Sequence, residues 1–220
     1  MRSLILPLVA LQLLFAGACT PYTVHSSARP LAQGESRRTS MFFVVPGGAK
    51  FESDSGGGSA SAALPGYDIE QRYGLDDRSD VGLRITTVSG AIVSYKRRLD
   101  GPSDKDSRAT ALMLGGGFVN LGQHAHFEAT LITSGREGRS FTPYGGIRAL
   151  QVVRMSTDVP NDKPTLGGFG GVRFGDNAAG ISLELGVFYD RSALGLRRND
   201  VVIVPSVSFS GGALRRMVGR

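Results

Sequence analysis

Three side chains near the middle of the chain, His124, His126 and Glu128, have the types and spacing for shared chemistry. Successive side chains of an extended strand point to opposite faces, so residues two apart share one face. Two imidazoles and a carboxylate in such a row suit a His–carboxylate acid–base pair or part of a metal site. A hydrolase would also need a nucleophile, for which Ser134, Ser140 and Ser182 are the candidates. No local signature ties any of these serines to the histidines. The row therefore reads as structural, with no catalytic residue and no metal site assigned. Glycine runs at 115–117, 145–146 and 167–171 invite comparison with phosphate loops. A phosphate loop needs Gly-Lys-Ser or Gly-Lys-Thr entering a helix, and neither occurs, so no nucleotide or other cofactor is expected. In strands, such glycines allow curvature and close approach of large neighbours.

Cys19 is the one cysteine in the chain. It follows a positive start at Arg2, an apolar stretch from Leu4 to Phe15 and the small residues Ala16-Gly17-Ala18. That order is the order of a secretory signal peptide, removed rather than folded. The junction resembles a bacterial lipoprotein lipobox, with Ala16 where the usual pattern has Leu. The resemblance implies removal of residues 1–18 and lipidation of Cys19. Ala16-Gly17-Ala18 also suits the ordinary signal peptidase, which leaves plain secretion open; either route exports the chain. Thr20 stands where an Asp would resemble an inner-membrane retention signal, so the resemblance points outward. A lone cysteine permits no intrachain disulfide and no Cys-rich metal site.

Lys and Arg number 25 against 19 Asp and Glu, and the exported part stays basic. Export and the scatter of these charges argue against nucleic acid and leave anionic lipid or lipopolysaccharide phosphate as partners. No exported stretch approaches the roughly 20 apolar residues of a membrane-spanning helix. Spanning by strands stays open.

The elements that must position these residues are strands. Residues 20–38 are polar and aperiodic, so 19–38 reads as a flexible tether. Residues 52–65, rich in Gly, Ser and Ala, read as a loop. Period-two alternation predicts strands near 39–46, 66–74, 79–86, 90–99, 107–120, 125–134, 141–155, 164–175, 180–190 and 200–210. About ten strands (8–12), with no helix beyond a turn or two outside the tail, predict an all-β fold. It is a single antiparallel up-and-down β-barrel over 39–210, followed by a basic tail at 211–220.

Alternation separates the faces. Ile181, Leu183, Leu185, Val187 and Tyr189 oppose Ser182, Glu184 and Gly186; Val81, Leu83 and Ile85 oppose Asp80, Arg84 and Thr86. A soluble barrel turns the apolar face inward, and a membrane barrel turns it outward. Strands of nine to eleven residues match a tilted bilayer crossing. Tyr67, Tyr73, Tyr95, Tyr144, Tyr189 and Phe209 fall near strand ends on or beside the apolar face, as an interfacial girdle requires. The last strand, Val201 to Phe209, resembles the terminal strand of outer-membrane barrels, although a tail with Arg215, Arg216 and Arg220 follows it.

Taken with the hairpin-like phrase from Tyr73 to Arg84, this pattern is similar to the small outer-membrane β-barrel proteins of Gram-negative bacteria. The resemblance implies insertion in the outer membrane with lipid and lipopolysaccharide as surroundings; the tether and the long loops, especially 52–65 and 156–164, are the expected contact surfaces for an envelope partner. On the inward face it places Asp68, Glu70, Arg72, Arg84, Lys96, Arg98, Glu128, Arg148, Arg173 and Glu184. Isolated buried charge is costly, so these must pair into a salt-bridged filling, or else line a polar channel or ligand cavity. Two other readings stand beside this one. The first is a lipid-anchored soluble barrel enclosing a hydrophobic ligand. The second is a lipid-modifying barrel enzyme using His126 and Glu128, since outer-membrane enzymes of that kind combine His, Ser and an acidic residue.

Overall fold

The computed structural model describes residues 21–51, 60–86, 90–101, 108–136, 141–155, 163–175, 179–191 and 200–211. Ten strands follow in order: β1 (Ser36–Phe51), β2 (Ala60–Asp76), β3 (Ser79–Thr86), β4 (Gly90–Arg98), β5 (Ala109–Val119), β6 (His124–Ser134), β7 (Phe141–Arg154), β8 (Thr165–Gly175), β9 (Gly180–Asp190) and β10 (Asp200–Ser210). Each pairs antiparallel with its neighbours in sequence, and β1 pairs with β10 to close the barrel. The fold is the expected all-β up-and-down barrel.

Local chemistry sets the turns and the register. In the β2–β3 turn the Asp76 carboxylate accepts from the Arg78 amide at 2.7 Å and from Ser79 Oγ at 2.7 Å. Asp favours this conformation because its short side chain can satisfy nearby donors. The β1–β10 seam runs from Thr39↔Ser210 to Phe43↔Ser206. It ends beside Pro205, whose nitrogen carries no hydrogen for a ladder.

The first hairpin corrects three expected boundaries. β1 runs from Ser36 to Phe51 rather than over 39–46, and residues 60–65, expected within a loop, begin β2. There Phe51↔Ala60, Lys50↔Ser61 and Ala49↔Ala62 pair before the register shifts between Val45 and Ala49, across Pro46-Gly47-Gly48. Backbone pairing makes no demand on side-chain size, so small residues hide a strand that alternation would otherwise reveal.

One mouth of the barrel, the terminal end, holds the start of β1 and the finish of β10. The other, the distal end, holds the β1–β2 connection. Every strand shows large apolar side chains on the exterior, among them Phe42, Tyr73, Leu83, Val93, Leu114, Phe127, Ile147, Leu166, Leu183 and Ile203. Charged and small polar side chains alternate with them into the lumen.

The largest departure from expectation concerns the tether. Residues 21–29 are buried, as is Leu31, inside the barrel. The segment then passes out at the terminal end, where Gly34 N donates to Gly74 O at 3.1 Å and Gly74 N donates to Glu35 O at 2.9 Å. Gly74 is required there by close approach: a Cβ would lie 2.0 Å from Ala32 O. A Gly74→Ala substitution should therefore cost about 1–3 kcal/mol, as overpacking typically does. Urea unfolding in phospholipid vesicles checks this, and an unchanged midpoint would mean the segment does not press on β2.

Candidate functional site: the filled lumen

The lumen is built from inward positions on all ten strands and from the buried amino-terminal segment. All ten residues expected on the inward face are buried: Asp68, Glu70, Arg72, Arg84, Lys96, Arg98, Glu128, Arg148, Arg173 and Glu184. Toward the terminal half they converge on Arg72. Its Nη1 lies 2.9 Å from Glu70 Oε1, and its Nη2 lies 2.5 Å from Asp80 Oδ1. Asp80 also takes Lys96 Nζ at 3.1 Å, and Glu70 faces Arg84 Nη2 at 3.7 Å. Gly82 leaves room for this cluster, because a Cβ there would stand 2.6 Å from Arg72 Nη1.

A second cluster joins β6 to β7. Glu128 Oε2 accepts from Arg148 Nη2 at 2.5 Å and lies 3.1 Å from His126 Nε2. The His126–Glu128 pair expected from spacing is thus formed, with Arg148 also bound to the carboxylate. That arrangement suits a structural ion pair, since a guanidinium paired with Glu128 stabilises the charged carboxylate. His124 is buried in the same strand, and Asn120 Nδ2 lies 3.4 Å from its Nδ1. Ser134 Oγ accepts from the Ala28 amide at 3.3 Å, and Ser182 is buried on β9. Ser140 lies outside the described residues.

The amino-terminal segment knits these clusters together through its backbone. Arg84 Nη1 and Arg148 Nη1 both donate to Thr23 O, at 2.9 and 2.7 Å. Lys96 Nζ donates to Ser26 Oγ, Ser27 O and Arg29 O at 3.0–3.1 Å. In the opposite sense, Glu184 accepts from Val24 N at 2.8 Å and His25 N at 2.7 Å, and Asp80 Oδ2 accepts from Leu31 N at 3.0 Å. Two successive amides thus converge on one carboxylate, as in an anion-binding nest, and His25 itself has φ 45°. Arg173 Nη2 donates to Ser210 Oγ at 3.0 Å near the seam.

Apolar residues fill the remaining inner volume. Tyr22 packs with Phe43, Val45, Leu64, Leu150, Phe188, Val202 and Val204 toward the distal end. Tyr144, expected in the outer girdle, instead points inward, lies 3.4 Å from His25 Nδ1 and packs near Phe169. Its place in β7 puts it on the inner register beside Thr142, and the tyrosine ring with its hydroxyl suits a half-polar lumen. Tyr73, Tyr95 and Tyr189 do face outward.

A scan of protein-family models finds no match, and a search of curated proteins finds none either. Among solved structures, the chain is similar to an outer membrane channel from Pseudomonas putida F1. That likeness has a TM-score of 0.52 at 8% identity, over 86% of this chain and 99% of the channel. It also matches the outer membrane protein OprG from Pseudomonas aeruginosa at a TM-score of 0.34 and 13% identity, over 84% of this chain and 99% of that one. The first likeness establishes a shared outer-membrane-type barrel fold. Both neighbours are outer membrane proteins.

Among the luminal groups, Asp80 and the whole 21–31 segment were not among the expected site residues. Asp80 was legible as polar and opposite to Val81; the segment carried no periodic signal at all. Removing Asp80 by Asp80→Ala strips Arg72 and Lys96 of their shared carboxylate and should cost about 3–5 kcal/mol. Glu184→Gln leaves one segment amide without its acceptor and should cost about 1–3 kcal/mol. Urea unfolding of both variants is the check; equal and negligible losses would show the lumen to be wet and loosely held.

Proposed function

We propose that this chain is a sealed outer-membrane β-barrel lipoprotein, anchored through lipid on Cys19, with a structural or interaction role in the cell envelope and no catalytic activity. The observation that carries the reading is the inversion of the two faces. Large apolar side chains cover the exterior of all ten strands, while charges and peptide groups fill the interior. Apolar surface continuous around a whole barrel is unfavourable in water and favourable in hydrocarbon. Nine of the ten strands run 9 to 17 residues, matching the roughly 9–11 of a tilted crossing, and β3, with 8, falls one residue short. A soluble barrel holding a hydrophobic ligand would need the faces exchanged.

The belt suits membrane lipid and lipopolysaccharide as neighbours, and the connections between strands suit an envelope protein partner. Nucleic acid is disfavoured because many of the cations lie inside, on carboxylates and carbonyls. Catalysis is disfavoured because Glu128 is committed to Arg148. Cys19 lies outside the described residues; support for its lipidation is the junction of small residues before it.

Three measurements test this reading. Carbonate washing and heat-modifiable gel migration of Cys19→Ala should leave the barrel in the outer membrane, with lipid as an accessory; a soluble variant would sink the membrane reading. Leu183→Arg, placing a cation on the belt in mid-strand, should destabilise the vesicle-embedded barrel by about 2–4 kcal/mol. In planar bilayers the full chain should give no steady conductance, whereas replacing residues 21–33 with a Gly-Ser stretch should give discrete steps. Open steps from the unaltered chain would replace the sealed barrel with a channel.

A further inference from the structure

The luminal segment crosses the barrel in one direction, and its contacts fall in order along the axis. Tyr22 sits toward the distal end, its ring 5.2 Å from that of Phe188 and clustered with Leu64 and Val202. Thr23 lies at mid-height between Arg84 and Arg148. Residues 26–29 meet Lys96, Leu31 meets Asp80 near the start of β3, and Gly34 meets Gly74 at the terminal end. Residues 23–29 are themselves buried, and the order of their contacts runs one way along the axis.

We propose that the chain ahead of Pro21 leaves through the distal mouth, so that the amino terminus of the exported protein and the end of β10 lie on opposite faces of the membrane. This rests on the reading of the barrel as membrane-spanning. Three of the four longer connections, residues 52–59, 155–164 and 191–199, belong to the distal end, and one, 99–108, to the terminal end. Longer loops mark the outer face of such barrels. The distal mouth is therefore the cell surface, and the barrel presents its own amino terminus there. On this path a lipid on Cys19 would be presented on the cell-surface side of the barrel.

Two experiments on the full chain test this together. A short epitope inserted between Thr20 and Pro21, and the same epitope after Arg220, are probed with antibody on intact and on permeabilised cells. The first should bind on intact cells; the second should gain at least tenfold on permeabilisation. In a Cys19→Ala background, Tyr22→Cys with Phe188→Cys should be joined by a short bis-maleimide in the purified barrel. Both epitopes exposed under the same condition overturn the proposal, as does failure of the cross-link in a heat-modifiable barrel. If instead the protein washes from membranes with carbonate, the membrane reading fails, and the cross-link alone still decides whether the segment is threaded.

Discussion

Nine of the ten strands of this barrel turn polar side chains away from solvent and into a narrow interior, β5 alone supplying apolar and glycine positions there, and the need to partner those groups governs the rest of the structure. Among the described residues the buried cations Arg29, Arg37, Arg72, Arg84, Lys96, Arg98, Arg148 and Arg173 outnumber the buried carboxylates Asp68, Glu70, Asp80, Glu128, Glu184 and Asp190. Carboxylates alone leave the balance open. Peptide carbonyls close part of it: Thr23 O takes two guanidinium donors, and Ser27 O and Arg29 O take the ammonium of Lys96. An extended segment without regular structure is well suited to this, because its carbonyls and amides are not committed to a helix or a sheet.

The same requirement explains the exterior. Once charge is confined to inward positions, period-two geometry delivers the apolar set to the outside. Glycines act where the inward set is bulky: Gly82 yields to Arg72, Gly115 to Glu128, and Gly171 to Tyr144. The glycine runs that invite comparison with phosphate loops are thus a packing device.

Much of the barrel was legible in the sequence because alternation is a local signal. β3, β9 and β10 have the boundaries that their alternation predicts, and the ten expected luminal charges are all buried. What could not be read is informed by backbone rather than side chain. Residues 60–65 pair through peptide groups under Ala and Ser, and residues 21–31 hold the lumen through amides and carbonyls that every sequence possesses. Only indirect signs were available: small side chains at Ser26, Ser27 and Ala28 that fit a crowded interior, and a surplus of inward cations. Tyr144 shows the limit of alternation at a place where an aromatic ring is acceptable on either face.

The seam between β1 and β10 rests on five residue pairs and joins the first strand to the last one synthesised. Its lateness matters because the barrel encircles part of its own chain. A ring already shut would have to admit that thread end-on past Tyr22 and the aromatic cluster around it. A ring still open can simply wrap it. Assembly order is therefore written into the topology: the thread is laid down first, the wall curls about it, and the seam is the clasp. Any bulky group at the thread's far tip would then hold the two together as a mechanical bond, like an axle capped inside its wheel.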